Sequence, residues 1–241
     1  MQATEFEFKR RLWIIASFFF VGFSLATFDH VPFIVGLRRL VAPSIARGTS
    51  EAEAFARVVI FAGALFVFLA AALRTWGAAY LRTDIVHDTA QHSHTLVADG
   101  PFRFVRNPLY FANLPMAIGI GLLASRFGFF FIVLTNTIFV YRLIFREEAA
   151  MRESQGESYL AYCRAVPRFW PALRPRLPSG GHNPAWAQAF VGESFIWIFG
   201  IAELVLAITL NTKLAIVLFA MGWGAHLVLL AALRRRSISR G

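Results

Sequence analysis

Two short clusters hold the residues best suited to chemistry. One is the stretch 99–110, D-G-P-F-R-F-V-R-N-P-L-Y; the other is Arg146-Glu147-Glu148. In the first, Gly100-Pro101 and Asn107-Pro108 mark two turns that hold Arg103 and Arg106 between them. Pro108 lacks a backbone donor, which the first turn of a helix tolerates, and Asn107 can cap that helix from outside. The segment that follows is apolar enough to enter a membrane, so the stretch reads as arginines held at the mouth of a membrane helix.

Elements of membrane type must position these clusters. The chain is 57% apolar with 26 phenylalanines and a mean hydropathy of +0.57. Several apolar runs approach the roughly 20 residues needed to span a bilayer. Spans are expected at about 12–36, 55–73, 108–124, 127–145, 190–210 and 214–233. The fold class is therefore all-α and polytopic, with three regions: spans one and two (1–73), a central core with its cytosolic segments (74–189), and spans five and six with a basic tail (190–241). Only Ser125-Arg126 joins spans three and four, so they form a tight antiparallel hairpin. That hairpin returns Arg146-Glu147-Glu148 toward Arg106-Asn107.

The net charge of +10 sits in the joints between apolar runs and in the tail, as in a membrane protein beside anionic lipid rather than a nucleic-acid binder. Six spans put 18 of the 24 Lys and Arg on the side of the termini. The bias places the termini and both clusters in the cytoplasm, in a multi-pass protein of a bacterial inner membrane. Cys163 is the single cysteine, which excludes an internal disulfide, and no Cys pair or short His-Cys spacing supports structural zinc. No metal is assigned to His87, Asp88, His92 and His94 either: His92 and His94 point apart on a strand, share no helical face and have no thiolate nearby. They are read as interfacial or substrate-gate residues. Asp29 and His30 are read as the interfacial end of span one, with Pro32 kinking or ending it. Glu203 and His226, in consecutive spans, are expected to touch, as a helix–helix tether or as a polar lining for a substrate head.

Three blocks in order around the hairpin carry a family resemblance. They are Gly100-Pro-Phe-Arg103-Phe-Val-Arg106-Asn107-Pro108-Leu-Tyr110, then Arg146-Glu147-Glu148, then Gly156-Glu-Ser-Tyr159-x-x-Tyr162-x-Arg164-x-Val-Pro167-Arg168-Phe169. Over about residues 74–170 the chain resembles the isoprenylcysteine carboxyl methyltransferase and phospholipid methyltransferase family. The resemblance implies an integral membrane enzyme that uses S-adenosyl-L-methionine (SAM), releases S-adenosyl-L-homocysteine, and methylates a lipophilic or lipidated acceptor entering from the bilayer. A prenylcysteine-like carboxylate is the expected acceptor, with a phospholipid amine as the alternative. A non-enzymatic lipid-binding protein or transporter built around Glu203 and His226 is the other reading.

The resemblance further implies Arg106, Asn107 and Glu148 as catalytic residues. Cofactor contacts would come from Arg103, Asn107, Pro108, Leu109, Tyr110, Arg146, Glu147, Glu148, Tyr159 and Tyr162. The residue types agree: an arginine fork suits the carboxylate of SAM, and glutamate suits its ammonium or ribose hydroxyls. Taken singly, Arg and Glu beside a helix end resemble a solvated rim; as a set of opposite charges they read as a site. Asn107 departs from the family's usual histidine, keeping hydrogen bonding but losing acid–base capacity near neutral pH. Gly119-Ile-Gly121 fits a G-x-G described for the phospholipid enzymes, but its depth in span three favours close helix packing.

Overall fold

A computed structural model of the chain describes residues 1–87 and 98–238, with side chains described over 1–81 and 98–231. The described residues form nine α-helices: α1 (Glu5–Lys9), α2 (Arg11–Ser24), α3 (Phe33–Val41), α4 (Ser50–His87), α5 (Pro108–Gly121), α6 (Arg126–Gln155), α7 (Glu157–Ala165), α8 (Trp186–Thr209) and α9 (Thr212–Ile238). Among the described residues, four stretches are long and apolar enough to cross a membrane: Ser50–Leu81, Arg126–Gln155, Trp186–Thr209 and Thr212–Ala231. The protein is an all-α, multi-pass membrane bundle.

Helix α4 is the central element and packs on both α5 and α8. Ile60, Ala64, Val67, Ala71, Thr75 and Ala78 are buried at the three- and four-residue spacing of one helical face. The opposite face shows Phe61, Leu65 and Leu69, an apolar surface that suits acyl chains rather than water. Small residues let the backbones approach. A Cβ placed on Gly119 would stand 2.6 Å from the Gly63 carbonyl oxygen of α4, and Gly121 lies against Phe129. Both glycines of the G-x-G thus serve helix packing.

The first apolar run is broken where a single span over 12–36 was expected. Helix α2 stops at Ser24, a 3-10 turn covers Leu25–Thr27, and α3 begins after Pro32. Between them Asp29 is buried and accepts from Arg126 at 2.9 Å and from the Phe127 amide at 3.1 Å. It clasps this loop to the start of α6. His30 is exposed. Helix α4 runs on past residue 73, where span two was expected to end, and Arg74 there forms a two-point ion pair with Glu193 of α8 at 2.8 and 3.3 Å.

The expected Glu203–His226 contact does not form: His226 Nδ1 lies 2.7 Å from Ser194 Oγ. Residues 210 and 211 join α8 to α9, so residues at equal sequence distance from that joint face each other. Ser194 and His226 satisfy this; Glu203 is less than half as far from the joint. Of the histidine-rich segment, Asp88, His92 and His94 lie outside the described residues, and the side chain of His87 does too.

Candidate active site

The site begins where the chain enters α5. After Gly100–Arg103, a 3-10 turn capped by Asp99, the chain reaches Pro108 and enters α5. Gly100 adopts φ +54°, and the Tyr80 ring occupies the space where its Cβ would stand, so only glycine fits. The segment 167–185, a strap across the site, runs back antiparallel to this entry. The Arg106 amide donates to the Pro167 carbonyl at 2.9 Å, Ala172 to Phe104 at 2.9 Å, and Arg176 to Arg103 at 2.8 Å. Prolines at 167, 171, 175 and 178 prevent helix here and leave the amides of the residues between them free to pair with the entry segment.

Asp99 fastens the far end of the strap. Its buried carboxylate accepts from the Gly100 amide, the His182 amide and Ser179 Oγ, at 2.9 to 3.0 Å. Burial alone would raise its pKa, but the His182 and Gly100 amides and the Ser179 hydroxyl outweigh that and hold it at about 2. Sequence reasoning gave Asp99 no role. Its position before Gly-Pro marks a cap, but its partners lie some 80 residues away.

Glu148 is the hub where the three blocks meet, and it is 2% exposed. It pairs with Arg106 at 3.3 Å, Arg168 at 3.0 Å and Arg152 at 3.6 Å. Asn107 Nδ2 donates to it at 3.3 Å and to the Arg168 carbonyl at 3.0 Å. One carboxylate thus faces three guanidinium groups, leaving a surplus of positive charge. Arg106 also donates to Cys163 Sγ, while its buried Nε has no partner among the described residues. A cavity of about 230 Å³ opens beside Glu148, Arg152 and Arg168, with Met1, Gln2 and Phe145 on its walls. It is smaller than the roughly 300–1,000 Å³ of typical ligand pockets.

Glu147 faces elsewhere, accepting from the Tyr110 hydroxyl at 2.6 Å. Tyr159 and Tyr162 share a buried face of α7, their ring centroids 5.9 Å apart. Tyr162 donates to the Phe102 carbonyl at 2.8 Å. Burial pushes both phenols up, so they remain hydrogen-bond donors at neutral pH. Gly156, at φ +54°, separates α6 from α7 and turns this face onto the strap.

Other expected contacts lie apart from Glu148. Arg103 donates to the Leu177 carbonyl at 2.8 Å, and Arg146 donates to the Ala3 carbonyl at 3.1 Å. Pro108 and Leu109 pack against Gly77 of α4. Arg152 and Arg168 were not among the candidates, although Arg168 lies in the third block. Arg152 follows Glu148 by four residues on one helix, a spacing that brings side chains together.

Comparison with known proteins gives a partial family match. Residues 58–158 match the phospholipid methyltransferase model, which covers less than half of the chain. A cobalt-zinc-cadmium resistance protein of Cupriavidus metallidurans is 29% identical over 111 residues, 46% of this chain and 48% of that protein. A nickel-cobalt-cadmium resistance protein of Alcaligenes xylosoxydans xylosoxydans is 27% identical over 111 residues, 46% and 49% of the two chains. The matched stretch spans about half the length of these curated relatives. No solved structure matches significantly. The chain is thus a membrane-embedded helical protein with a partial match to a methyltransferase family.

Proposed function

We propose that this protein transfers a methyl group from SAM to the amine head of a membrane lipid. The observation that carries the reading is the meeting of three sequence-distant blocks on one buried carboxylate, Glu148. The family match over 58–158 supports a phospholipid amine ahead of a prenylcysteine-like carboxylate. In this reading the reaction unit is 74–189, flanked by the membrane helices of 1–73 and 190–241. The excess of Lys and Arg supports six spans with the unit and the termini in the cytoplasm.

The donor set fits a zwitterionic cofactor. Arg106, with its unpartnered Nε, and the partly exposed Arg152 and Arg168 would hold its carboxylate. Glu148 offsets their charge and would face its ammonium or hydroxyls, while Asn107 fixes Glu148 and the Arg168 backbone together. When bound, SAM supplies a methyl group on a sulfonium that leaves as a neutral thioether. The protein's contribution is orientation and exclusion of water. An ammonium acceptor must lose a proton before it attacks. Glu148 is neutralised by guanidinium groups, whereas Glu147 is bonded to a neutral phenol. Glu147 is therefore the carboxylate that would hold the ammonium and take its proton.

A second reading, carboxyl O-methylation, has its own support. Asn107 supplies no base, a carboxylate acceptor needs none, and the positive surplus around Glu148 suits an anion. Methyl-labelled SAM incubated with membranes containing the protein separates the two. Alkali-stable label in extracted phospholipid is expected. Alkali-labile label released as methanol would favour the carboxylate, and no transfer to any extractable lipid would refute methyl transfer.

A further inference from the structure

A feature used neither by the family match nor by the methyl-transfer reading lies near the opposite end of α5. There a cavity of about 530 Å³ lies among α4, α8, α9 and the joint after α5. Its walls include Phe23, Ile60, Leu123, Phe199 and Phe219. Glu203 and Thr212 are its polar side chains. Glu203 is 2% exposed, and neither carboxyl oxygen has a hydrogen-bond partner among the described residues. Its Oε1 is pressed over Gly63, at the place where α4 crosses α5, and a Cβ on Gly63 would come within 2.4 Å of it.

A carboxyl group left without partners in an apolar wall is costly, and such groups inside membranes persist when something completes them. Every other buried carboxylate described here is completed from within the chain: Asp29 by Arg126, Asp99 by three donors, Glu148 by three arginines and Glu193 by Arg74. Glu203 alone among these has no partner, and it belongs to the lining of the adjoining cavity. The cavity volume falls within the range of sites for small ligands, and its lining suits a hydrocarbon tail. Charge complementarity defines the head: a compact cation with several donors, which a carboxylate in a dry setting holds far better than a neutral group.

We infer that this cavity binds a single-chain lipophilic amine, its ammonium on Glu203 and its tail among the phenylalanines. The site is distinct from the Glu148 hub. The hub stands at the start of α5 and the cavity reaches Leu122 and Leu123 just past its end, about 20 Å away at 1.5 Å per residue. The inference therefore stands or falls independently of methyl transfer.

The test uses the full chain in lipid nanodiscs, with labelled dodecylamine as the probe and empty nanodiscs as the reference. Saturable binding of one dodecylamine per protein is expected, with dodecanol and dodecanoate at least about tenfold weaker. Glu203→Gln should weaken dodecylamine binding at least about tenfold. Ala215→Phe fills the cavity from α9 and leaves Glu203 intact; it should abolish binding, and it decides the matter if the glutamine variant does not fold. Arg106→Lys should bind dodecylamine as the unaltered protein does. Absence of saturable binding, equal binding of dodecanol, or undiminished binding in a folded Glu203→Gln or Ala215→Phe variant would overturn the assignment.

Discussion

The side-chain amide of Asn107 lies 3.3 Å from Glu148 Oε1, and the same nitrogen donates to the Arg168 carbonyl at 3.0 Å. One residue thus ties the helix entry, the end of α6 and the returning strap together. Asn107 is a positioning group here: its amide donates and moves no proton near neutral pH. Asn107→His should therefore keep cofactor affinity and alter turnover by less than about tenfold, a barrier change under about 1.4 kcal/mol. Steady-state rates across pH check this. A gain of several hundredfold with a new inflection near the ordinary imidazole value, about 6.5, would show that an acid–base group is missing.

Arg106 is more enclosed than a rim residue, with its side chain 9% exposed. Arg106→Lys keeps the charge but removes the planar guanidinium, whose Nη1 meets both Glu148 and Cys163 and whose Nε stays open to a ligand. The expected result is a fall in kcat/KM of about a hundredfold. A loss of stability of about 1–2 kcal/mol, from the lost buried hydrogen bond, should accompany it. Initial rates and thermal melts measure the two effects. Unchanged rates would remove Arg106 from the site.

Much of this arrangement could be read in advance from residue types and spacing. The three blocks and the short α5–α6 joint placed the two clusters at one end of the bundle, because an antiparallel hairpin returns its far ends to the same side. Consecutive helical residues diverge by about 100°, however, so Arg146, Glu147 and Glu148 could not share one target. They contact Ala3, Tyr110 and the arginine cluster respectively. The irregular strap escaped prediction for a different reason. Its pairing with 99–106 depends on long-range register, which proline-rich sequence does not encode by periodicity.

The strap's anchor should show in acid. The folded pKa of Asp99, about 2, lies below its ordinary value of 3.8. Its stabilisation is therefore complete above the ordinary value and is lost as pH falls toward about 2. Asp99→Asn should melt below the unaltered protein at neutral pH, and the gap should narrow as pH falls from about 4 toward about 2. A gap that does not change over that window would mean that the carboxylate's charge is not what holds the strap.

Sidedness is testable with single cysteines. In a Cys163→Ser background, cysteines at Ser50 and Ser154, both exposed positions, should react with an impermeant maleimide from opposite faces of sealed vesicles. Residue 154 should label from the cytoplasmic face. Labelling from the same face would contradict the topology proposed from the Lys and Arg distribution.

Calorimetric titration of the purified protein with SAM tests the central claim most directly, because it asks whether the Glu148 hub is a cofactor site irrespective of the acceptor. The account expects micromolar binding, weakened at least about tenfold by Glu148→Gln. Glu147→Gln should leave affinity nearly intact and lower methyl transfer to an amine acceptor. Each variant is accompanied by a melt, since Glu148→Gln also leaves the enclosed Arg106 without its carboxylate. Failure of the unaltered protein to bind SAM, or equal binding by folded Glu148→Gln, would contradict the assignment of this hub as the site of methyl transfer.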